Sequence, residues 1–503
     1  MFARLNNAAL GSLPADIGRP AYDRTRLRPG IVHLGIGAFH RAHQAPVTDM
    51  ALAATGDLRW GIVGVSLRSA DTHEALAPQD GLYTLSLRDS DAEGTPREQL
   101  SVVGAVLRVL VAANDPDAVL AQIAHPDTRI VSLTVTEKGY SYEPSSGRLR
   151  RDDPDIVHDL AHPEAPRTAL GMLVYGLARR RHAGLPPITL MSCDNLPSNG
   201  NTLRGLVLEL ANACDPALHD WIAAHCTFPN AMVDRIVPRT VDTDRQRISA
   251  RLHRQDAWPV VGEPFLEWVI EDRFVAGRPA WDQPGGARFV SHAAPFEQLK
   301  LRMVNGPHSA LAYLGASAGL STVSQVMADP LLHDYLDALI KEEIVPTLPP
   351  VPGVDLKMMR TRLLARFSNP ALPHRTQQIA MDGSQKLPQR LLGTLRDRLR
   401  AGAGFERLAL AVAAWMHYLR GYDEQGRAYP IEDPLAGELQ ACLTAAAQNE
   451  GADLARARAL IGYEPVFGDL AGHGELINAV ARHAAVLRQS GVRAAVLQVN
   501  GGQ

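Results

Sequence analysis

The chain has 503 residues, 46% hydrophobic and 21% charged, with 51 basic and 54 acidic side chains and a formal net charge of -3. That length allows two large domains or several smaller ones, at roughly 100–200 residues each. Charge is balanced and spread along the chain, which speaks against a nucleic-acid partner, and no apolar run approaches the ~20 residues of a membrane span. The opening "MFARLNNAALGSLPAD" lacks the hydrophobic block of a signal peptide. Cys193, Cys214, Cys226 and Cys442 show no paired spacing and read as reduced thiols. A cytoplasmic protein is the expectation.

Taken in order, Ile31 to Leu34 read as a short buried strand, followed by a glycine turn and a helical stretch from about Phe39. "WGIVGVSL", from Trp60, reads as a second strand, and "LSVVGAVLRVLV" is ambiguous between strand and helix. "TRIVSLTVTE", from Thr128, is rich in β-branched residues and reads as a strand. "ITLMSCDNLPSNG" reads as a strand running into a loop, with a helix from about Thr202. Strands alternating with helical segments predict a mainly parallel sheet with helices on both faces. The texture changes near residue 290. "SHAAPFEQLK" reads as a connection, and "SALAYLGASAG", "LHDYLDALIKEEIV", "RLALAVAAWMHYLRG" and "ELINAVARHAAVLRQ" read as helices, with "VPTLPPVPGVDL" a Pro-rich loop. The expected fold is α/β: a dinucleotide-binding, Rossmann-type domain over 1–290 and a mostly α-helical domain over 291–503.

"HLGIGAFHR" places Gly35 and Gly37 where a strand turns into a helix, the place where a dinucleotide pyrophosphate meets backbone N–H groups. The third glycine of the usual fingerprint is absent, with His40 in its place, and the acidic candidate for the ribose, Asp71, comes late. A tight turn that binds nothing has the same spacing. Arg41 could offset phosphate charge or lie on the surface. His40 and His43 could in principle share a metal, but no third ligand of suitable spacing is near, and a packed pair is the simpler reading. If a dinucleotide binds, Asp71 would favour NAD over a 2′-phosphorylated cofactor, while the nearby Arg68 would act the other way.

"KLRMVNGPHSALAYLG" puts Lys300, Asn305 and His308 in one apolar stretch. Oxidation of a secondary alcohol needs a base, and a lysine serves only if burial or nearby positive charge lowers its pKa from about 10.4. Asn305 could donate to a developing alkoxide and His308 could orient the hydroxyl. On an α-helix the three side chains fall at roughly 0°, 140° and 80°, within one broad face, and Gly306-Pro307 should bend or restart the helix. A solvated lysine before a capped helix would look the same.

"GIGAFHRAHQA", "VSLTVTEKGY", "SCDNLPSNG", "FPNAMVDRIVP", "EPFLEWVIED", "KLRMVNGPHSALAYLG" and "MDGSQKLPQRLL", in that order, resemble the polyol-specific long-chain dehydrogenases (the mannitol dehydrogenase family) over nearly the whole chain. The resemblance implies a site in the cleft between a Rossmann-type domain and a helical one, NAD as the usual cofactor, no zinc, and a monomer. It assigns the catalytic lysine to Lys300, the oxyanion-stabilising asparagines to Asn195 and Asn305, the histidine to His308 and a proton-relaying glutamate to Glu137. Gly35, Gly37, Phe39, Arg41 and Asp71 fall on the cofactor side, and Asp234, Arg375 and Lys386 on the substrate side. One departure is Pro307, where the family usually has serine.

What the resemblance implies is an NAD-dependent oxidoreductase that interconverts a keto-sugar or keto-uronate with its polyol or aldonate. At Gln378 the mannitol branch tends to carry an arginine, whereas here His374, Arg375, Lys386 and Arg390 surround the segment. Forked positive donors suit a carboxylate, so fructuronate/mannonate is the expected pair and fructose/mannitol the alternative. A non-catalytic, NAD-binding sensor is the competing class, and a metal-dependent hydrolase built on His40 and His43 a remote third.

Overall fold

The computed structural model describes residues 2–90, 95–143, 147–446 and 451–501. The chain divides into two units, the first ending at Glu297 and the second starting at Gln298.

The first unit is built on a five-stranded parallel sheet. Its spatial order is Val106–Val111, Ile62–Ser66, Ile31–Leu34, Ile130–Leu133, Thr189–Ser192. In chain order that is 3-2-1-4-5, the doubly wound arrangement, with its switch point between the first and fourth strands. The strands read as unbroken apolar runs because both faces are covered. Val32, Leu34, Val131, Leu133 and Leu190 pack into one core with the helices Ala169–His182 and Asn199–Cys214. Ile31, Ile62, Ile130 and Met191 face the other core, with Ala45, Ala51 and Leu52 of Gln44–Thr55.

The ambiguous "LSVVGAVLRVLV" is strand on both sides of a break at Gly104-Ala105: Pro96–Val103 pairs antiparallel with Tyr83–Ser90, and Val106–Val111 edges the main sheet. Among the described residues, two three-stranded sheets accompany the main one. Tyr83–Ser90 takes Val260–Gly262 as its other neighbour, and Glu267–Glu271 lies between Ala231–Asp234 and Arg288–Val290. These pairings were outside the expected pattern: Tyr83–Ser90 and Pro96–Val103 pair antiparallel as successive strands, and the parallel neighbour Val260–Gly262 comes from a distant segment.

The second unit is helical. Gly306–Ser317 and Glu406–Tyr418 are buried almost throughout and pack together, and Gly474–Asn500 packs on the latter. A helix apolar on every side belongs in a core. "SHAAPFEQLK" is not a simple connection: Ala294–Lys300 is helical and runs on through a wide π-type turn, Leu301–Asn305, into Gly306–Ser317. The long last helix breaks at Gly491 (φ 82°, ψ 178°). Among the described residues, no helix is long and apolar enough to cross a membrane.

Candidate active site

The glycine turn leaves the central strand at the switch point. Gly35 has φ 91°, and a Cβ there would fall 2.1 Å from the Thr134 carbonyl oxygen, so the position demands glycine. Thr134 Oγ1 returns a hydrogen bond to the Gly35 carbonyl at 2.8 Å. Gly37 is extended (φ -80°, ψ -171°), and a Cβ on it would meet only the Gly35 carbonyl oxygen, at 3.9 Å. That bare backbone face is what a pyrophosphate needs for close approach, so the turn fits a dinucleotide.

The position without the third glycine is filled from within. His40 stacks on His33 at 3.5 Å and 15°. His33 reaches Ser132 Oγ and Thr134 Oγ1, both at 2.8 Å. Burial pushes both imidazoles down, His33 to about 3 and His40 well below the usual value. His43 contacts the Glu267 carbonyl at 3.1 Å and stacks on Phe39 at 4.9 Å. Arg41 is buried, donates to the Trp258 carbonyl at 2.5 Å and lies over Tyr83. Asp71 is exposed and opens the helix Asp71–Leu76, past the end of the second strand, near Arg68.

Two further loops leave the neighbouring strands Ile130–Leu133 and Thr189–Ser192. Glu137 starts a short 3₁₀ turn, Glu137–Tyr140, and exposed Asn195 lies three residues past its strand. Between them, the Asp194 carboxylate accepts from Val135 N at 2.9 Å and Thr136 N at 3.0 Å, and from the Tyr140 hydroxyl at 2.7 Å. Burial and, secondarily, the charge of Glu137 raise Asp194 to about 6 against the pull of those donors. Asp234 is buried at the end of Ala231–Asp234, paired with Glu267.

In the helical unit, Lys300 closes the helix Ala294–Lys300 and is 5% exposed. The π-type turn that follows carries the bond from Gly306 N to the Leu301 carbonyl. Five residues thus make about one turn. Asn305 therefore comes round closer to the line of Lys300 than the α-helical angle predicts. Gly306 permits the turn to lie close to its neighbour, since a Cβ there would sit 2.7 Å from the Arg390 carbonyl oxygen. Pro307 occupies the first turn of Gly306–Ser317, where its missing N–H costs little.

Asn305 Nδ2 and His308 Nε2 are buried with no protein hydrogen-bond partner among the described residues, as is His374 Nδ1. His308 stacks on Phe367 at 4.7 Å and meets His374 edge-on at 5.0 Å. Desolvation, then the charges of His374, Arg390, Arg366 and Lys386, hold its imidazole well below the usual value. It is neutral near pH 7. Arg390 Nη1 donates to Ser309 Oγ at 3.2 Å, and Lys386 Nζ to the Ile379 carbonyl at 3.4 Å. Arg375 is exposed at the start of Thr376–Ala380. The guanidiniums acting on His308 are instead those of Arg366 and Arg390.

Residues 29–283 match the mannitol dehydrogenase Rossmann domain, and residues 292–487 match the mannitol dehydrogenase C-terminal domain. The chain belongs to the mannitol dehydrogenase family. Among curated members of this family, it is 45% identical to the D-mannonate oxidoreductase of Escherichia coli (strain K12), over 95% of this chain and 97% of that protein. It is 42% identical to the mannitol 2-dehydrogenase of Phaeosphaeria nodorum, over 87% of this chain and 77% of the other. Among solved structures, the Pseudomonas fluorescens mannitol 2-dehydrogenase, in ternary complex with NAD and D-mannitol, aligns with a TM-score of 0.91 at 40% identity, covering 99% of this chain and 100% of that one.

Sequence reasoning missed the acceptor role of Asp194, the Tyr140 hydroxyl that meets it, and Arg366. "CDN" marks Asp194 as a loop residue, but nothing local names its donors. Arg366 reaches the site from the helix Leu356–Phe367, with no motif of its own.

Proposed function

We propose that the chain is an NAD-dependent oxidoreductase interconverting a keto-sugar or keto-uronate with its polyol or aldonate. Gly35 and Gly37 with Phe39 and Arg41 would hold the pyrophosphate part of the cofactor, and Asp71 would accept from its ribose. NAD, when bound, would supply the acceptor for the hydride of the carbinol carbon. Lys300 accepts the hydroxyl proton in oxidation and returns it in reduction. Asn305 and Asn195 donate to the oxygen as it gains alkoxide character, and His308 positions it. Glu137 passes the proton between Lys300 and solvent. No step calls for zinc. Asp234, Arg375 and Lys386 complete the substrate side.

The observation that carries this reading is the trio Lys300, Asn305 and His308, the first two buried, with buried, uncommitted nitrogens on the last two. Two nitrogens left without protein partners suit a ligand oxygen. The deciding experiment replaces the lysine. Lys300→Ala should lower kcat by about 10³-fold, with NADH affinity within about threefold by fluorescence titration. Near-normal turnover at neutral pH would refute the base assignment.

For the substrate, the positive surroundings of His308 favour an acceptor with a carboxylate. D-Fructuronate and D-mannonate are therefore the preferred pair. Fructose and mannitol are the second reading, favoured by the likeness to a mannitol 2-dehydrogenase that binds D-mannitol.

A further inference from the structure

We propose that Asp194 is a positioning residue: it locks the loop that carries Glu137 to the loop that carries Asn195, and so sets the first for proton transfer and the second for donation to the reacting oxygen. The proposal rests on the roles just given to Glu137 and Asn195.

Three donors converge on one carboxylate. Asp194 Oδ2 accepts from Val135 N at 2.9 Å and from the Tyr140 hydroxyl at 2.7 Å, and Oδ1 accepts from Thr136 N at 3.0 Å. These donors bracket Glu137 on both sides in sequence. Tyr140 also reaches Ser192 Oγ at 2.6 Å, which ties the same loop to the end of the neighbouring strand. On the Asn195 side, the Asp194 carbonyl accepts from Asn199 Nδ2 at 3.0 Å, which fixes the peptide leading into Asn195.

The backbone held this way is not one the chain adopts unaided. Thr136, immediately before Glu137, has φ 63° and ψ 163°, a region essentially confined to glycine. Ser141, at the far end of the same turn, and Ser198, beyond Asn195, also have positive φ, at 45° and 44°. Strain of this kind persists only where the surroundings over-determine it. Here the over-determining group is an anion, kept ionised at neutral pH although its own burial and the charge of Glu137 oppose it. An asparagine has the same shape but only one acceptor oxygen. Its amide would face one of the two N–H groups, donor against donor.

The test compares Asp194→Asn, Tyr140→Phe, Glu137→Gln and Asn195→Ala, with NADH and either fructuronate or fructose as acceptor. Asp194→Asn should lower kcat per folded molecule by about 10- to 100-fold, the scale set by misplacing a reacting group by about an ångström. NADH affinity should stay within about threefold, and the isotope effect from 4-deuterated NADH should rise as chemistry becomes limiting. Tyr140→Phe should show the same pattern with a smaller loss, and it remains informative if the asparagine variant does not fold. The proposal is overturned if both variants keep wild-type kcat and isotope effect per folded molecule while Glu137→Gln and Asn195→Ala lose activity; the proposed function then stands. If Glu137→Gln and Asn195→Ala keep full activity, the roles beneath it fall, and the proposal with them.

Discussion

Asn305 offers the sharpest experiment on a single side chain. Its Nδ2 is buried and unpartnered among the described residues, and a buried donor without an acceptor costs stability in the resting protein. Asn305→Ala should therefore leave the thermal midpoint unchanged or slightly higher. It should also lower kcat by about 10²–10³, the effect of losing one oxyanion donor. Calorimetry and steady-state rates check the two halves separately. A parallel loss of stability and activity would mean the carboxamide holds the fold and not the substrate. At this scale the sequence was informative where the residues are neighbours. Lys300, Asn305 and His308 lie in one segment, and their types suggest the chemistry. Asp194 was not legible in its role, because its acceptors serve donors 54 to 59 positions away, a distance no local motif spans.

Among elements, the strand Ile31–Leu34 and the helix after the glycine turn are joined by two stacked imidazoles, which makes this part of the fold sensitive to acid. An unfolded histidine titrates near 6.5, whereas His33 is held to about 3 and His40 well below its usual value, both by burial. Between those values the unfolded chain binds protons that the folded chain does not, so stability rises with pH and is lost as pH falls below 6.5. The thermal midpoint, followed by circular dichroism, should drop steadily from about pH 6.5 downward. His40→Phe, which keeps a ring against His33 and removes one titrating group, should flatten that slope. An unchanged slope would place the acid sensitivity elsewhere. The strands were legible as short apolar, β-branched runs, and the Gly35 turn because the first of them ends at a glycine. The identity of His40 as a packing residue was not, because its partner ring lies on the strand before the turn. The π-type turn was hidden for a related reason: "LRMVN" has the apolar content of an ordinary helix, and the close approach of Arg390 to Gly306 appears only in three dimensions.

For the molecule as a whole, a net charge of -3 supplies no long-range attraction for an anionic substrate. Any preference for a carboxylate must therefore be local, made by Arg366, Lys386 and Arg390 in the surroundings of His308. NADH oxidation with fructuronate should exceed that with fructose in kcat/KM. Arg390→Gln should raise KM for fructuronate by about 10-fold or more, roughly 1.4 kcal/mol, and change KM for fructose little. Equal losses for both acceptors would return the arginine to a packing role, and a preference for fructose would favour the second reading. The architecture was legible at this scale: alternating strands and helices pointed to a parallel sheet with both faces covered, and the later texture to helices. The small accompanying sheets were not, because Val260–Gly262 pairs with Leu85–Leu87 across much of the first unit, and pairing so remote leaves no periodic trace.

The wide turn between Lys300 and Gly306 has a consequence for how this segment tolerates change in length. Relative to a regular helix it holds one surplus residue, with the backbone bond already displaced to Gly306 N and the Leu301 carbonyl. Excising one residue from between Leu301 and Val304 would let the segment close into uninterrupted α-helix, at little thermodynamic cost. Because the wide turn already brings its extra residue round in about one turn, the residues before and after would keep nearly their present facing. Such a shortened chain should fold, bind NADH and keep turning over, whereas losing one residue from the regular helix Gly306–Ser317, which has no slack to take up, should rotate Lys300 and Asn305 by about 100° against the rest of that helix and abolish turnover.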